Sequence, residues 1–314
     1  MRCMSQSLSI VIPVYNSEKS LDPLLERLTG VLDNLCTDYE VILVDDGSAD
    51  RSWSVVRRLA DASPRVRGIR LLRNYGQHNA LLCGIRNANY PIVVTMDDDL
   101  QNPPEEIPVL LARMQEGSDV VYGTPQKEQH GFLRDAASRI TKLVLQRSMG
   151  AETAASISAF RAFRTKLRES FAEYKGSFVS IDVLLTWGTK RFSAVPVKHE
   201  KRAMGQSNYT VFKLFLHAMN MVTGFSVLPL QIATAIGLLV TLFGIAVLVF
   251  VVGRYLLEGS PVQGFPFLAS MLAIFSGAQL FALGIMGEYL ARIHIRTMDR
   301  PAYAVGMRTE TDAE

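Results

Sequence analysis

The fold is decided by one stretch of the chain, Val93-Val94-Thr95-Met96-Asp97-Asp98-Asp99-Leu100-Gln101-Asn102-Pro103-Pro104. The apolar run at residues 92–96 predicts a buried strand, and three carboxylates follow it directly. Neither a helix nor a strand ladder continues easily through Pro103 and Pro104, because proline lacks the backbone N–H that both structures use. The acidic side chains are therefore expected at the C-terminal end of a strand.

The same stretch predicts a metal site. Ligands of open parallel sheets bind at the C-terminal ends of the strands, and alternate residues of extended backbone point the same way. The side chains of Asp97, Asp99 and Gln101 are then expected to converge on one point. Hard oxygen ligands of this kind suit Mg²⁺ or Mn²⁺ that carries a diphosphate. An acidic, solvated loop without a ligand is the alternative interpretation.

Strand and helix patterns alternate in the residues before this stretch. Apolar runs predict strands at residues 8–14, 39–44 and 66–72, and leucines at helical spacing predict a helix within residues 19–36. Such alternation predicts an α/β fold with right-handed crossovers and a mostly parallel sheet. The chain has neither a G-x-G-x-x-G nor a G-x-x-x-x-G-K-[ST] motif, which argues against dinucleotide-binding and P-loop proteins.

Composition narrows the class of protein further. The 33 basic residues nearly balance 30 acidic ones, so nothing indicates a nucleic-acid partner. The three cysteines, Cys3, Cys36 and Cys83, lack the spacing of a metal site or a disulfide framework. We therefore expect structural thiols in a reducing compartment.

Two uncharged apolar segments, residues 232–252 and 265–287, predict membrane-spanning helices. Each exceeds the roughly 20 residues that cross a bilayer core, although a buried helix of a soluble protein is the alternative. By the positive-inside rule both ends of this hairpin lie in the cytoplasm, since one arginine separates the segments and several follow the second. These are Arg254 between the segments, and Arg292, Arg296, Arg300 and Arg308 after them.

Domain boundaries follow from these patterns. We expect a cytoplasmic α/β domain at residues 1–207 and an amphipathic segment in the membrane interface at residues 208–228. The transmembrane hairpin is expected at residues 229–296 and a cytoplasmic tail at residues 297–314.

Three blocks of sequence resemble a known family. They are Ile12-Pro13-Val14-Tyr15-Asn16, Val44-Asp45-Asp46-Gly47-Ser48 and Asp97-Asp98-Asp99-Leu100-Gln101-Asn102-Pro103-Pro104-Glu105. The chain is similar to the inverting glycosyltransferases of family 2, which have the GT-A fold, and within them to the polyprenyl-phosphate glycosyltransferases. A fourth block, Arg73-Asn74-Tyr75-Gly76-Gln77-His78, resembles most closely the branch that transfers 4-deoxy-4-formamido-L-arabinose to undecaprenyl phosphate.

The resemblance implies roles for residues in these blocks. Asp97, Asp99 and Gln101 would bind Mg²⁺ or Mn²⁺, with Asp99 also counted as catalytic. The residues implied to bind the nucleotide sugar are Pro13, Tyr15, Glu18, Asp45, Asp46, Arg73, Asp98 and Arg161. For the block from Asp45 to Ser48, a plain side-chain-capped turn is the alternative.

Two further segments carry the expected phosphate contacts. Arg134 and Ser138 share a helical face, and a guanidinium with a hydroxyl suits a phosphate. Their spacing resembles the acceptor-phosphate site of the lipid-phosphate branch, and Arg202 with Ser207 resembles the family's Arg-x-x-Gly-x-Ser loop. The resemblance implies a catalytic role for Arg134 and Arg202 as well as for Asp99. A solvated helix face and an ordinary turn are the respective alternatives. Ala159 stands where the family often has an aspartate.

The sequence therefore predicts an enzyme that transfers a sugar, with inversion, from a UDP-linked donor to a membrane polyprenyl phosphate of the undecaprenyl type. We expect it in the bacterial inner membrane with its catalytic domain in the cytoplasm, and the existence of a homo-oligomer stays open. A non-catalytic membrane scaffold or translocation partner is one alternative. A polysaccharide synthase is another, although the chain lacks a Gln-x-x-Arg-Trp block.

Overall fold

The computed structural model describes residues 7–125, 157–176, 178–200, 228–258 and 265–309. They belong to two compact units, one of Met1–Ala218 with Asp299–Glu314 and one of Met219–Met298. The first unit contains an eight-stranded sheet. Its strands are β1 Leu8–Val14, β2 Tyr39–Asp45, β3 Val66–Leu71, β4 Ile92–Thr95, β5 Val120–Pro125, β6 Arg161–Arg164, β7 Phe192–Val197 and β8 Val305–Arg308.

The order of strands in the sheet creates a ligand-binding position. The strands lie in the order β7-β5-β6-β4-β1-β2-β3-β8, so β1 runs between β4 and β2 and is parallel to both. The chain moves from β1 to one edge through β2 and β3, then returns to place β4 on the other side of β1. Ligands of open α/β sheets bind outside the carboxyl ends of the strands at such a reversal. This is where Tyr15 follows β1 and Asp97 follows β4.

Helices cover the sheet and close its core. They are α1 Leu21–Leu35, α2 Ser52–Ala62, α3 Gln77–Arg86, α4 Ile107–Gln115 and α5 Ile181–Gly188. Strands β1 and β2 are buried along their whole length, as expected for strands covered on both faces. On α1, Leu21, Leu24, Leu28 and Leu32 are buried at helical spacing, and each contributes about 1.5–3 kcal/mol by leaving water.

The second unit consists, in its described residues, of two long helices, α6 Leu228–Glu258 and α7 Phe265–Thr297. Within them, Pro229–Arg254 and Ile274–Thr297 are long and apolar enough to cross a membrane, with mean hydropathies of 2.9 and 1.3. Large apolar side chains such as Leu239, Val249 and Leu280 are exposed on these helices. A membrane hairpin would cover them, in agreement with the sequence prediction.

The residues after α7 form part of the sheet, although no strand was predicted there. β8 pairs antiparallel with β3, placing Arg308 opposite Ile69 and Met307 opposite Arg70. The Thr309 N–H also donates to the Gly68 carbonyl over 3.1 Å. The chain therefore returns to the first unit after α7, and β8 becomes the edge strand beside β3.

Candidate active site

A cleft of about 250 Å³ opens at the carboxyl ends of the parallel strands. Its lining comes from the segments that follow β1, β2, β3 and β4, which meet where the strand order reverses. The lining residues are Pro13, Val14, Tyr15, Asp46, Asn74, Gly76, Gln77, Asp97, Asp98 and Asp99. The sheet therefore brings the predicted acidic stretch to the same cleft as the ends of three other strands.

The acidic turn, residues 97–99, has a different backbone from the one that the sequence suggested. β4 ends at Thr95, and Leu100 has a φ of 60°, a left-handed conformation that is uncommon outside glycine. The expectation of extended backbone with alternating side chains is wrong, because the chain turns here and all three aspartates line the cleft. Gln101 is not among the described residues that line the cleft. Its backbone N–H instead donates to Asp99 Oδ1 over 3.1 Å.

The Asp98 carboxyl has a raised pKa. Burial raises the pKa of Asp98 to about 6, and the neighbouring Asp99 carboxylate acts in the same direction. Its Oδ2 atom is buried and has no hydrogen-bond partner among the described residues. A buried acceptor left in this state carries a desolvation penalty that a bound cation would relieve.

The donor set fits a divalent metal that is carried by a substrate. Within the described parts of the chain, no three His, Cys, Asp or Glu side chains are grouped so that they could hold a metal alone. Mg²⁺, however, is commonly bound by one or two carboxylates, with substrate phosphates and water completing its shell. Asp97, Asp98 and Asp99 supply oxygen donors of this kind at the cleft.

Asp46 holds the loop that forms the opposite wall. Its Oδ1 accepts from the Tyr75 N–H over 2.7 Å and its Oδ2 from the Gly76 N–H over 2.8 Å. Burial raises the pKa of Asp46, although the two backbone N–H groups favour the charged form. The predicted nucleotide-binding residue thus lines the cleft while both of its oxygens organise the loop.

Asp45 caps the turn after β2 with its side chain, which was the alternative interpretation of the block from Asp45 to Ser48. Its side chain is fully buried, and Oδ1 accepts from the Ser48 N–H over 3.1 Å. Arg70 Nε lies 3.2 Å from the other carboxylate oxygen. Asp45 therefore stabilises the turn after β2 and is not among the described residues that line the cleft.

The other predicted nucleotide contacts divide into two groups. Pro13 and Tyr15 line the cleft, and Tyr15 is half exposed, so its ring is accessible. Glu18 and Arg73 are not in the described lining. Glu18 Oε2 accepts from the Arg51 N–H over 3.1 Å, and the exposed Arg73 guanidinium lies 4.8 Å from the Tyr75 ring centre.

Arg161 requires a correction. It was predicted to contact substrate, but its side chain is only 2% exposed and forms an ion pair with Asp182. Tyr122 also donates its hydroxyl to Asp182 over 2.9 Å. A side chain enclosed in this way cannot reach a ligand in the cleft.

Several lining residues were not predicted as site residues, among them Asn74, Gly76 and Gln77. Gly76 has a φ of 98°, and Gln77 Nε2 donates to Asp97 Oδ1 over 2.5 Å. The glycine inside the fourth resembling block was the available signal, because such a φ suits glycine alone. Arg134, Ser138, Arg202 and Ser207 lie outside the described residues.

Comparison with known proteins agrees with this arrangement. Residues 9–171 match the family model described as glycosyl transferase family 2. The chain belongs to that family. Among curated relatives of this glycosyltransferase, the undecaprenyl-phosphate 4-deoxy-4-formamido-L-arabinose transferase of Edwardsiella ictaluri is 36% identical over 303 residues, covering 96% of this chain and 93% of the relative. The enzyme of the same name from Serratia proteamaculans is 35% identical with the same coverage.

Solved structures share the fold of this family 2 glycosyltransferase. Glucosyl-3-phosphoglycerate synthase from Mycobacterium tuberculosis, in complex with Mn²⁺, UDP and phosphoglyceric acid, superposes with a TM-score of 0.51. The two chains are 18% identical, and the match covers 69% of this chain and 76% of the other. The predicted GT-A-type α/β fold is confirmed by this likeness.

Proposed function

We propose that this glycosyltransferase transfers a sugar from a nucleotide sugar to the phosphate of a membrane polyprenol of the undecaprenyl type. The observation that carries the proposal is the carboxylate-lined cleft at the reversal of strand order. It is supported by relatives that align over 96% of this chain and are named as transferases to undecaprenyl phosphate.

The donor half of the cleft suits a nucleoside diphosphate, and we take UDP as the nucleotide. Tyr15 offers an accessible aromatic face on which a base can stack, and Asp46 fixes the loop that forms the opposite wall. Asp97, Asp98 and Asp99 would hold Mg²⁺ or Mn²⁺ beside the diphosphate. When bound, the metal neutralises negative charge that develops on the leaving group.

Inversion follows if the acceptor attacks the anomeric carbon from the face opposite the leaving diphosphate. The acceptor is itself a phosphate, so the protein must hold an anion close to another anion. Arg134 with Ser138, and Arg202 with Ser207, are the groups that we assign to this task, because guanidinium and hydroxyl donors match phosphate oxygens.

The membrane arrangement suits a lipid acceptor. Both helices of the second unit pass the length and hydropathy requirements of membrane spans. We propose that the catalytic unit lies on the cytoplasmic face of the bacterial inner membrane, with residues 208–228 in the interface. The phosphate of a polyprenol can then reach the cleft while its isoprenoid chain stays in the bilayer.

The decisive experiment uses the purified full-length protein in lipid nanodiscs with a short polyprenyl phosphate. Radiolabelled UDP-sugars are offered one at a time with Mg²⁺, and label extracted into organic solvent is counted. We expect one donor to give a lipid-linked product, whose anomeric configuration, opposite to that of the donor, is read by NMR. Neither transfer nor hydrolysis of any nucleotide sugar would indicate a scaffold that keeps the fold.

A further inference from the structure

A buried polar network lies directly behind the acidic turn. Thr95, the last residue of β4, pairs across the ladder with Arg161 of β6. Its hydroxyl accepts from Arg161 Nε over 3.1 Å and donates to the Ala159 carbonyl over 2.8 Å. Arg161 also pairs with Asp182 near the start of α5. The strand end that carries the turn is therefore tied to a helix on another part of the chain.

The network continues to the opposite wall of the cleft. Ile181, the neighbour of Asp182, donates its backbone N–H to His78 Nδ1 over 3.4 Å. His78 follows Gln77, whose side-chain amide donates to Asp97 over 2.5 Å. Contacts thus run from Thr95 through α5 and the start of α3 back to Asp97. Asp97, the first residue of the acidic turn, is therefore a member of a closed ring of side-chain and backbone contacts.

The positive charge of Arg161 in this network is balanced by the Asp182 carboxylate and also interacts with Asp97 of the acidic turn. Burial would favour a neutral Arg161, but the Asp182 carboxylate raises the pKa of that guanidinium, and Tyr122 and Asp97 act in the same direction. A buried ion pair of this kind gives little net stability, because desolvation offsets its attraction. Its value to the molecule is then expected to lie in fixing positions.

We propose that Thr95, Arg161 and Asp182 are positioning residues that hold the acidic turn in the geometry needed to bind a divalent cation with a nucleoside diphosphate. This inference rests on the proposed function, because it assigns the network to the same cleft. Arg161 acts through Thr95 and Asp182 rather than by touching substrate. Displacing catalytic groups by about 1 Å can reduce turnover by about 10²-fold, so a loosened turn has a measurable effect.

Two variants probe the network. Asp182→Asn removes the carboxylate charge and keeps the shape, while Thr95→Val removes one hydroxyl from a fully buried position. Because breaking a buried ion pair is strongly destabilising, Asp182→Asn can fail to fold, and Thr95→Val then decides the question.

The same sheet offers matched controls near the amino ends of its strands. Buried Glu40 of β2 accepts from Arg67 Nη1 over 2.7 Å and from the Ser9 hydroxyl of β1 over 2.7 Å. Glu40→Gln therefore matches Asp182→Asn, and Ser9→Ala matches Thr95→Val. These substitutions disturb buried charge and hydrogen bonding away from the cleft, so they report destabilisation alone.

The experiment measures Mn²⁺ binding to the full-length protein in the presence of UDP. Free Mn²⁺ is quantified from its electron paramagnetic resonance signal. We expect Asp182→Asn to weaken Mn²⁺ binding at least about tenfold and Thr95→Val about threefold or more, each with a lower kcat. Glu40→Gln and Ser9→Ala should lower the melting temperature and leave Mn²⁺ affinity unchanged.

Three outcomes would overturn the inference. Folded Thr95→Val with the Mn²⁺ affinity of the wild type would show that the network does not position the turn. Equal weakening in the control variants would show a general effect of destabilisation. A wild-type protein that binds no Mn²⁺ with UDP would contradict the proposed function itself, and the inference with it.

Discussion

A Cβ atom placed on Gly47 would lie 2.5 Å from the backbone carbonyl carbon of Arg73. Gly47 also has a φ of 67°, so both its conformation and its surroundings exclude a side chain. This close approach brings the turn after β2 against the loop after β3, where Asp46 binds the N–H groups of Tyr75 and Gly76. One glycine therefore sets the shape of a cleft wall.

We predict that Gly47→Ala weakens UDP binding at least about tenfold, because the loop must shift away from the Cβ atom and Asp46 loses its partners. Isothermal titration calorimetry of the folded protein with UDP measures the change in affinity. The control is Gly117→Ala, at a φ of 107° where no described residue comes within 4 Å of the added Cβ. This control variant should lose about 1–2 kcal/mol of folding stability through backbone strain and should bind UDP with normal affinity. Equal affinity in the two variants would contradict this account of Gly47.

Much of the fold was predictable because β1 and β2 are covered on both faces and so consist mostly of apolar residues. β1 has the predicted bounds, and β4 ends one residue earlier than expected, at Thr95. β8 was not predictable, since Val305-Gly306-Met307-Arg308 has no strand pattern of its own and forms only by pairing with β3. Local pattern cannot report such a long-range partner.

The candidate site was predictable in its chemistry but not in its geometry. The three aspartates were expected where β4 ends, because they follow an apolar run directly, and all three line the cleft. Their directions depend on the left-handed backbone of Leu100, which no sequence rule indicates for leucine. Arg161 was misplaced because a motif match does not distinguish a side chain that touches substrate from one that supports the strand beside it.

Removal of one carboxylate tests the metal. We predict that transfer requires Mg²⁺ or Mn²⁺ and that Asp99→Ala abolishes it without unfolding the protein, since Asp99 lies on the surface of the cleft. Asp61→Ala, which removes an exposed carboxylate on α2, should leave turnover unchanged. The measurement is product formation with and without chelator, beside a melting curve. Undiminished turnover in excess chelator would rule the metal out.

The shared sheet of β3 and β8 leads to a prediction about topology. In intact cells, a membrane-impermeant maleimide should label Gly259→Cys, between the two spans, but not Met307→Cys on the exposed face of β8. The background has Cys3 and Cys36 changed to serine. Cys83 can stay, because burial raises the pKa of its thiol to about 12 and the reactive thiolate is then scarce. Permeabilised cells should label both positions. Labelling of Met307→Cys alone in intact cells would contradict the proposed topology and show the opposite orientation.

Asp119 provides a test of stability against pH. Its carboxylate accepts from the Thr189 hydroxyl over 2.6 Å and from Arg191 Nε over 2.9 Å, and it also pairs with Arg164. Burial alone would raise the pKa of Asp119, but the hydrogen bonds from Thr189 and Arg191 outweigh it and lower that pKa. A lowered pKa means that the stabilisation is present above the unfolded value of about 3.9 and is lost as pH falls through the folded value.

We therefore predict that Asp119→Asn lowers the free energy of unfolding by about 1–3 kcal/mol near pH 7, and that its difference from the wild type shrinks below about pH 4. Tryptophan fluorescence during unfolding, recorded between about pH 3 and pH 8, measures both effects. The control is Asp22→Asn, whose exposed ion pair with Arg58 should contribute little at any pH. A difference that persists unchanged in acid would mean that the Asp119 charge is not the cause.

The remaining prediction concerns Ala159, at the position where the family resemblance of the sequence implies an aspartate. Its carbonyl accepts from Thr95 Oγ1 over 2.8 Å, so the residue lies beside the strand end that leads to the acidic turn. For a sugar hydroxyl as acceptor, a general base typically contributes about 10² to 10⁴ in rate, and its loss would be severe. A phosphate acceptor has a second ionisation near pH 6, by analogy with phosphorylated side chains, so about nine in ten molecules are dianions at pH 7. Such a nucleophile needs positioning more than deprotonation.

We accordingly predict that Arg134→Ala lowers transfer at least tenfold, about the 1.4 kcal/mol expected for one lost charge-assisted contact, whereas Ala159→Asp gives no comparable gain. Single-turnover rates on a short polyprenyl phosphate between about pH 6 and pH 8 decide the matter, because a missing base would appear as a steep pH dependence that the added aspartate flattens. A large gain from Ala159→Asp, or no loss from Arg134→Ala, would place the acceptor phosphate elsewhere.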